Sequence, residues 1–304
     1  MQIDLVYLWV DGSDPKWLHK KQQFIEKKIN TTGRFQDNGE LKYSLRSVEK
    51  HLPWIRKIFI VTDEQTPSFL DATHPKIEIV HHAQIIPKDI LPTFNTSLME
   101  YFIYRIPDLS EHFLYANDDT FVQADLSPSF FFKAGIPIMR MIKNPLIKYK
   151  LRLKKALHIN INTYRLAIQN AYTLFEKRFH IFYPITPHHN IDACLKSDYK
   201  AVVEEVFKEA IASMHSHRFR NKADIHRILI NYYALSKKSG ILKYVGRSES
   251  CRIRVHKTDY QKYIDTYNPK LFCLNDTEHA TEEHRAHVEP FLQKMFPDKA
   301  AFEK

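Results

Sequence analysis

Along roughly the first 120 residues, short apolar runs alternate with stretches of helical periodicity, and three of the four runs end in aspartate. "IDLVYLWV" (3–10) is rich in β-formers and stops at "DGSDP", a cluster of turn and helix-start residues, which predicts a buried strand followed by a turn. Asp14 is placed to cap a helix with Pro15 in its first position, and "KWLHKKQQFIEKKI" (16–29) sets Trp17, Leu18, Phe24 and Ile25 on a basic body. The unit recurs without being a sequence repeat. "ELKYSLRSVEKHL" (40–52) puts Leu41, Leu45, Val48 and Leu52 on one helical face, Pro53 ends it, and "IRKIFIVTD" (55–63) supplies a second strand. "KIEIVHH" (76–82) reads as a third strand, "SLMEYFIYRI" (97–106) as a helix and "HFLYAN" (112–117) as a fourth strand. Helices between strands predict the α/β class, with a Rossmann-like, mainly parallel sheet covered by helices and its carboxyl-end loops as the place for a ligand.

From about 129 to 180 the pattern weakens into large apolar and basic residues, "FFFKAGIPIMRMIKNPLIKYKLRLKKALHINI" (130–161), readable as a cover over the site, a membrane-surface segment or a solvated charged face. Beyond it, "SDYKAVVEEVFKEAIASM" (197–214) and "KADIHRILINYYALSKKSG" (222–240) read as amphipathic helices, the second stopped by Gly240. The expected organisation is a donor-binding and catalytic half over 1–132, a basic, aromatic insert or cover over 133–180, and a helix-rich half over 181–304 completing one catalytic unit.

A chain of 304 residues with 44% apolar side chains buries a sizeable core. No apolar stretch is long enough to span a bilayer and no signal-peptide pattern opens the chain, so a cytoplasmic protein is expected. Cys194, Cys251 and Cys273 have neither CxxC spacing nor a matching histidine pattern, which speaks against a zinc site or a disulfide framework. The net charge of +10 implies attraction to polyanions: nucleic acid, anionic lipid or a phosphate-bearing substrate.

Four clusters carry candidate chemistry. Asp118 and Asp119 are adjacent acids at a strand end, each costly to desolvate unless a cation is near; a divalent ion held by one or two carboxylates and phosphate oxygens solves that, and an Asx-type turn between two hairpin strands is the alternative. "WVDGSDP" offers either a helix terminus for phosphate or a structural cap. No GxGxxG or GxxxxGKS/T is present, which removes the dinucleotide and P-loop fingerprints. "HSHRFRNKADIH" (215–226) contains His217, Arg218, Arg220 and Asp224, suited to phosphoryl oxygens and proton transfer, or else a solvated basic loop. In extended backbone Arg218 and Arg220 would share one side with His217 on the other. "PHHNID" (187–192) leaves His188 and His189 as ligands, proton carriers or a polar loop.

Taken together, "IDLVYLWVDGSDP", the long stretch from "ELKYSLRSVEKHLPWIRKIFIVTD" through "HFLYANDDTFV", the "PHHNID" and "HRFRNKADI" pair, and "LFCLNDTEH" (271–279) resemble the four blocks of the Stealth family of sugar-1-phosphate transferases. That family includes bacterial capsule polymerases and the lysosomal-enzyme N-acetylglucosamine-1-phosphotransferase. The resemblance implies a nucleotide-sugar-transferase fold and transfer of a sugar-1-phosphate from a UDP-sugar, UDP-GlcNAc or a similar hexose donor, to an acceptor glycan hydroxyl, releasing UMP, with Mg²⁺ or Mn²⁺. It implies Asp119 as base or metal ligand beside Asp118, and Arg220 with His217 facing the phosphoryl group. Donor contacts fall to Asp11, Gly12, Ser13, Asp14 and Asn95, and to Arg46 unless that residue is a surface arginine. His188 carries over as a further catalytic residue, and Asp192, Asp224, Asn275 and Asp276 as motif positions. Asp11 stands where family members often show Asn, and Thr120 where they often show Val. The resemblance also implies capsule or other cell-surface polysaccharide synthesis at the inner face of a membrane, with peripheral contact and no nucleic-acid partner. The rival readings are a metal-dependent glycosyltransferase that releases UDP and a basic nucleic-acid-binding protein.

Overall fold

The four apolar runs become neighbouring strands of one sheet. In the computed structural model, which describes residues 1–25 and 37–304, β1 (Ile3–Leu8), β2 (Ile58–Thr62), β3 (Ile77–His81) and β4 (His112–Asn117) are parallel in the order β3-β2-β1-β4. Leu5 sits in register with Ile58 on one side and Leu114 on the other. Successive side chains on a strand face opposite ways. Leu5, Tyr7, Ile58, Ile60 and Leu114 accordingly enter one core layer, while Val6, Phe59, Val61, Phe113 and Tyr115 enter the other. Burial on both faces explains why the β1, β2 and β4 runs are near-continuously apolar, while β3, at the sheet edge, alternates.

The remaining strands, in chain order, are β5 (Thr120–Val122), β6 (Phe132–Lys133), β7 (Ile136–Lys143), β8 (Ile185–Pro187), β9 (Asp192–Leu195), β10 (Ile241–Tyr244), β11 (Ser250–Arg254) and β12 (Leu271–Asn275). β9 completes the main sheet, antiparallel to β4, with Asp192 opposite Tyr115. After the 118–119 turn the chain leaves that sheet: β5 pairs with β12 in a second sheet, ordered β11-β12-β5. The turn therefore joins two sheets and is not the tip of a hairpin. β10, β7 and β6 make a third sheet, with β8 on β7. Sequence periodicity missed these strands: most are of two to five residues, and the eight of β7 lie in the mixed apolar and basic stretch.

Helix α1 (Pro15–Gln22) is capped by Asp14 as expected, and the part of the 16–29 helix beyond Ile25 lies outside the described residues. Helix α2 (Glu40–His51) buries Leu41, Leu45 and Val48. Its Ser44 bridges the two sheets, linking Tyr7 Oη at 2.8 Å and donating to the Thr120 carbonyl at 2.5 Å. The 197–214 stretch is helical but interrupted by a π-type segment, Val202–Val206. The 222–240 stretch is helical only over Ile228–Lys237. Lys238, with φ 59°, terminates it in the left-handed conformation; Gly240 instead lies where an added Cβ would come within 2.7 Å of Met139. The three cysteines are free and buried, and among the described residues no helix is long and apolar enough to cross a membrane.

Candidate functional site

The loops at the carboxyl ends of β1 and β4 gather acids. In the turn after β1, the Asp11 carboxylate accepts from Ser13 N at 2.8 Å and Ser13 Oγ at 2.6 Å, while Gln65, from the loop after β2, clamps the Asp11 backbone at 2.9 and 3.0 Å. Asp14 accepts from Lys16 N at 2.7 Å and Trp17 N at 3.0 Å, and these backbone donors hold its carboxyl below the usual range. Both side chains shape the turn that carries Gly12, so the cap reading accounts for Asp14.

Two further acids, absent from the sequence expectations, join this cluster. Asp37 accepts from Trp9 Nε1 at 3.1 Å and from Gly39 N at 2.8 Å; its burial raises its pKa, and Asp11 adds to the shift. Glu40, at the start of α2, is pushed up to about 8 by burial. Asp118 rises well above the usual carboxylate range, first through burial and then through the charges of Asp119, Glu40 and Asp37. It has no cationic partner among the described residues. Such a set of hard oxygen donors, held at the cost of mutual repulsion, fits a divalent cation. Among the described residues no three His, Cys, Asp or Glu side chains converge on one point as a metal site. The residues fit Mg²⁺ or Mn²⁺ in the mode where one or two carboxylates hold the ion and phosphate oxygens complete it; Asp118 and Asp119 would hold it.

Asp119 faces a histidine. His189 Nε2 lies 3.0 and 3.1 Å from its two oxygens, and the Asn117 amide approaches the same ring at 3.4 Å. Burial alone would lower His189, but the charge and hydrogen bond of Asp119 outweigh it and the pKa rises. This corrects the assignment of His188. That ring turns to Ser250 Oγ at 3.2 Å in the β11 edge, and burial lowers its pKa. Adjacent histidines in a loop carry no sequence signal for which one faces the site.

A second cluster forms around the helix Thr96–Met99. Asn95 caps it by accepting from Ser97 N at 3.1 Å, and its amide donates to Asp224 Oδ2 at 2.9 Å and to the His217 carbonyl at 3.2 Å. His217 Nδ1 stands 2.8 Å from Asp224 Oδ1. A carboxylate only accepts, so Nδ1 carries the hydrogen, and in the neutral ring the lone pair is on Nε2. Arg220 Nε reaches Thr96 Oγ1 at 3.0 Å, with Nη2 on the same oxygen. Arg218 departs: it donates to the Pro92 carbonyl at 2.6 Å and lies over Phe24, because the loop turns at 214–218 and is not extended. Asn95 thus belongs with His217 and Asp224, not with the 11–14 turn.

Asp192 and Arg227 tie the two clusters together. Arg227 is buried between Asp192 and Glu100, 3.3 Å from the latter, with its guanidinium 4.5 Å from the Tyr115 ring centroid. Asp224 and Arg227 are three positions apart, as are His189 and Asp192; each span reaches at most about 11 Å. Between them, His226 packs edge-on against Tyr164, ring centroids 5.2 Å apart. Burial, then Arg227, Arg220 and His189, hold its pKa well below the ordinary value. Arg252, on β11, acts electrostatically on His188, His189 and Cys273 and has no hydrogen-bonded partner among the described residues; the sequence reading passed over it.

Two expectations fall elsewhere. Arg46 is neither on the surface nor turned to the donor loop: buried, it grips Glu303 at 2.6 and 2.8 Å and the Phe296 carbonyl at 2.9 Å, fastening the C-terminal segment to α2. Asp276 accepts from Arg285 at 2.8 Å, and Asn275 ends β12 with its carbonyl on Val255 N at 3.2 Å. Asp276 lies toward the acidic side, since it and Glu40 both act on Tyr260.

The sequence matches the Stealth protein conserved regions 1, 2 and 4 over residues 1–29, 34–138 and 264–304. It is 31% identical to the exopolysaccharide phosphotransferase cps2G of Lactiplantibacillus plantarum, covering 99% of this chain and 96% of that one. It is 31% identical to the capsular polysaccharide phosphotransferase WcwK of Streptococcus pneumoniae (100% and 98% covered) and 36% identical to fcs1 of Haemophilus influenzae (90% and 78% covered). Among solved structures it resembles the galactosyltransferase LgtC in complex with donor and acceptor sugar analogues, at 12% identity and TM-score 0.47 over 98% of this chain and 96% of that one, a likeness too slight to argue from. With three conserved regions in order and full-length relatives of this kind, the chain is a transferase and belongs to the Stealth family.

Proposed function

We propose that the protein transfers a sugar-1-phosphate from a UDP-sugar, UDP-GlcNAc or a similar hexose donor, to a glycan hydroxyl and releases UMP, in capsular or other cell-surface polysaccharide synthesis. The observation that carries the reading is the His217–Asp224 pair at 2.8 Å with Arg220 held on Thr96 beside it. The acceptor oxygen attacks the phosphorus that bears the sugar, the bond from that phosphorus to the bridging oxygen breaks, and UMP leaves with the electron pair. His217 Nε2 takes the hydroxyl proton, and Asp224 steadies the imidazolium that results. Arg220 offers planar N–H donors to the equatorial phosphoryl oxygens. Asp118 and Asp119 would hold a Mg²⁺ or Mn²⁺ ion, whose chemistry there would be charge neutralisation. The anomeric bond is untouched, so sugar configuration is retained by default. The same reading has the protein working in the cytoplasm at the inner face of a membrane, as a peripheral enzyme.

The test is product analysis. The purified protein is incubated with a panel of UDP-sugars, Mg²⁺ or Mn²⁺ and an oligosaccharide acceptor. UMP together with a phosphodiester-linked sugar supports the proposal; UDP with a plain glycoside overturns it. No turnover, combined with salt-sensitive binding to nucleic acid, would sink it in favour of the polyanion-binding alternative.

A further inference from the structure

The helix Ile147–Ala156 carries two apolar stripes. Ile147 and Leu151, four residues apart, are buried in the same core as Tyr172 and Phe175. Leu146, Tyr149, Leu153 and Leu157, spaced by three and four residues, form a second stripe that is 54%, 65%, 45% and 59% exposed. Lys150, Arg152 and Lys154 flank it, and among the described residues Lys150 and Lys154 enter no ion pair. From Leu126 to Phe175 the sequence holds no aspartate or glutamate. A solvated helix face mixes both signs of charge and does not keep a row of leucines in water.

We propose that this face docks on an anionic lipid surface, with the leucines and Tyr149 entering the boundary between headgroups and acyl chains and the lysines meeting lipid phosphates. A soluble polyanionic glycan would satisfy the lysines but leave the apolar row in water, so lipid is the better partner. The next helix, Thr163–Phe179, leads to the site: its Tyr164 touches His226. The proposal stands apart from the donor chemistry and survives if that is wrong.

The test is co-sedimentation of the full chain with phosphatidylcholine vesicles and with equimolar phosphatidylcholine and phosphatidylglycerol vesicles. Binding is expected only to the mixed vesicles and should weaken as salt rises. Lys150→Gln with Lys154→Gln should lower it about 30-fold, since each basic residue near such a surface contributes about 1 kcal/mol, about fivefold. Tyr149→Ser with Leu153→Ser should weaken it comparably, while melting temperature and nucleotide-sugar turnover with a soluble acceptor stay as in the parent. Failure to pellet with mixed vesicles overturns the proposal, as does equal binding to both vesicle types. Loss of retention on an anionic glycan by the lysine variant alone, with no vesicle binding by the parent, assigns the face to glycan instead.

Discussion

Replacing Asp224 with asparagine leaves the size of the side chain almost unchanged but removes the acceptor that fixes the His217 tautomer. Asp224 is a positioning residue, so Asp224→Asn should lower kcat with little change in KM and shift the alkaline or acidic limb of the pH–rate profile, whereas His217→Ala should cost about 10²–10⁴ in kcat. An unaltered pH profile in the asparagine variant would remove Asp224 from that role. Asp119→Asn should abolish UMP release while the melting temperature stays close to that of the parent, because the change is nearly isosteric and the side chain is partly accessible. Glu40 gives a pH signature. Burial raises it from 4.5 to about 8, so its contribution to stability is fully present below pH 4.5 and is lost as pH rises toward 8. Thermal melts of the cation-free protein should therefore decline over that window, and Glu40→Gln should flatten the decline. At this scale the sequence pointed to Asp118, Asp119, His217, Arg220 and Asp224 by residue type and neighbourhood. It could not separate His189 from His188, or single out Asp37, Glu40 and Arg252, because their partners lie scores of residues away and leave no local spacing to read.

The elements of the first half were mostly legible, and those of the second only in part, as its two amphipathic helices. Three strands buried on both faces announce themselves as apolar runs, β3 as an alternating one, and α2 as a clean amphipathic repeat. The 222–227 stretch shares the periodicity of the helix after it, yet stays irregular because Asp224 caps Asn221 N at 2.8 Å and His226 N bonds the Ala167 carbonyl at 3.1 Å. That irregularity frees Asp224, His226 and Arg227 to face different partners. Arg46 illustrates the converse: an arginine on an amphipathic helix reads as surface, and only the returning C-terminus buries it. Arg46→Leu leaves Glu303 buried without its partner and should destabilise the fold by about 3–5 kcal/mol, measured by denaturant unfolding, with activity per folded molecule retained. A loss of catalysis without loss of stability would restore Arg46 to the donor site.

Across the whole molecule, chemistry is assembled from segments far apart in sequence: the 11–14 and 118–119 loops come from the parallel strands, while His189, His217, Arg220 and Asp224 come from the later half. The sheet itself depends on this arrangement. β9, the last strand of the main sheet, is synthesised some seventy residues after its neighbour β4. Until it arrives the nascent chain has an open, hydrogen-bond-hungry margin beside a repulsive knot of acids. Folding should therefore be slowed by the wait for a distant segment, and a chain cut short before residue 189 would expose that margin to others of its kind and lack the imidazole facing Asp119.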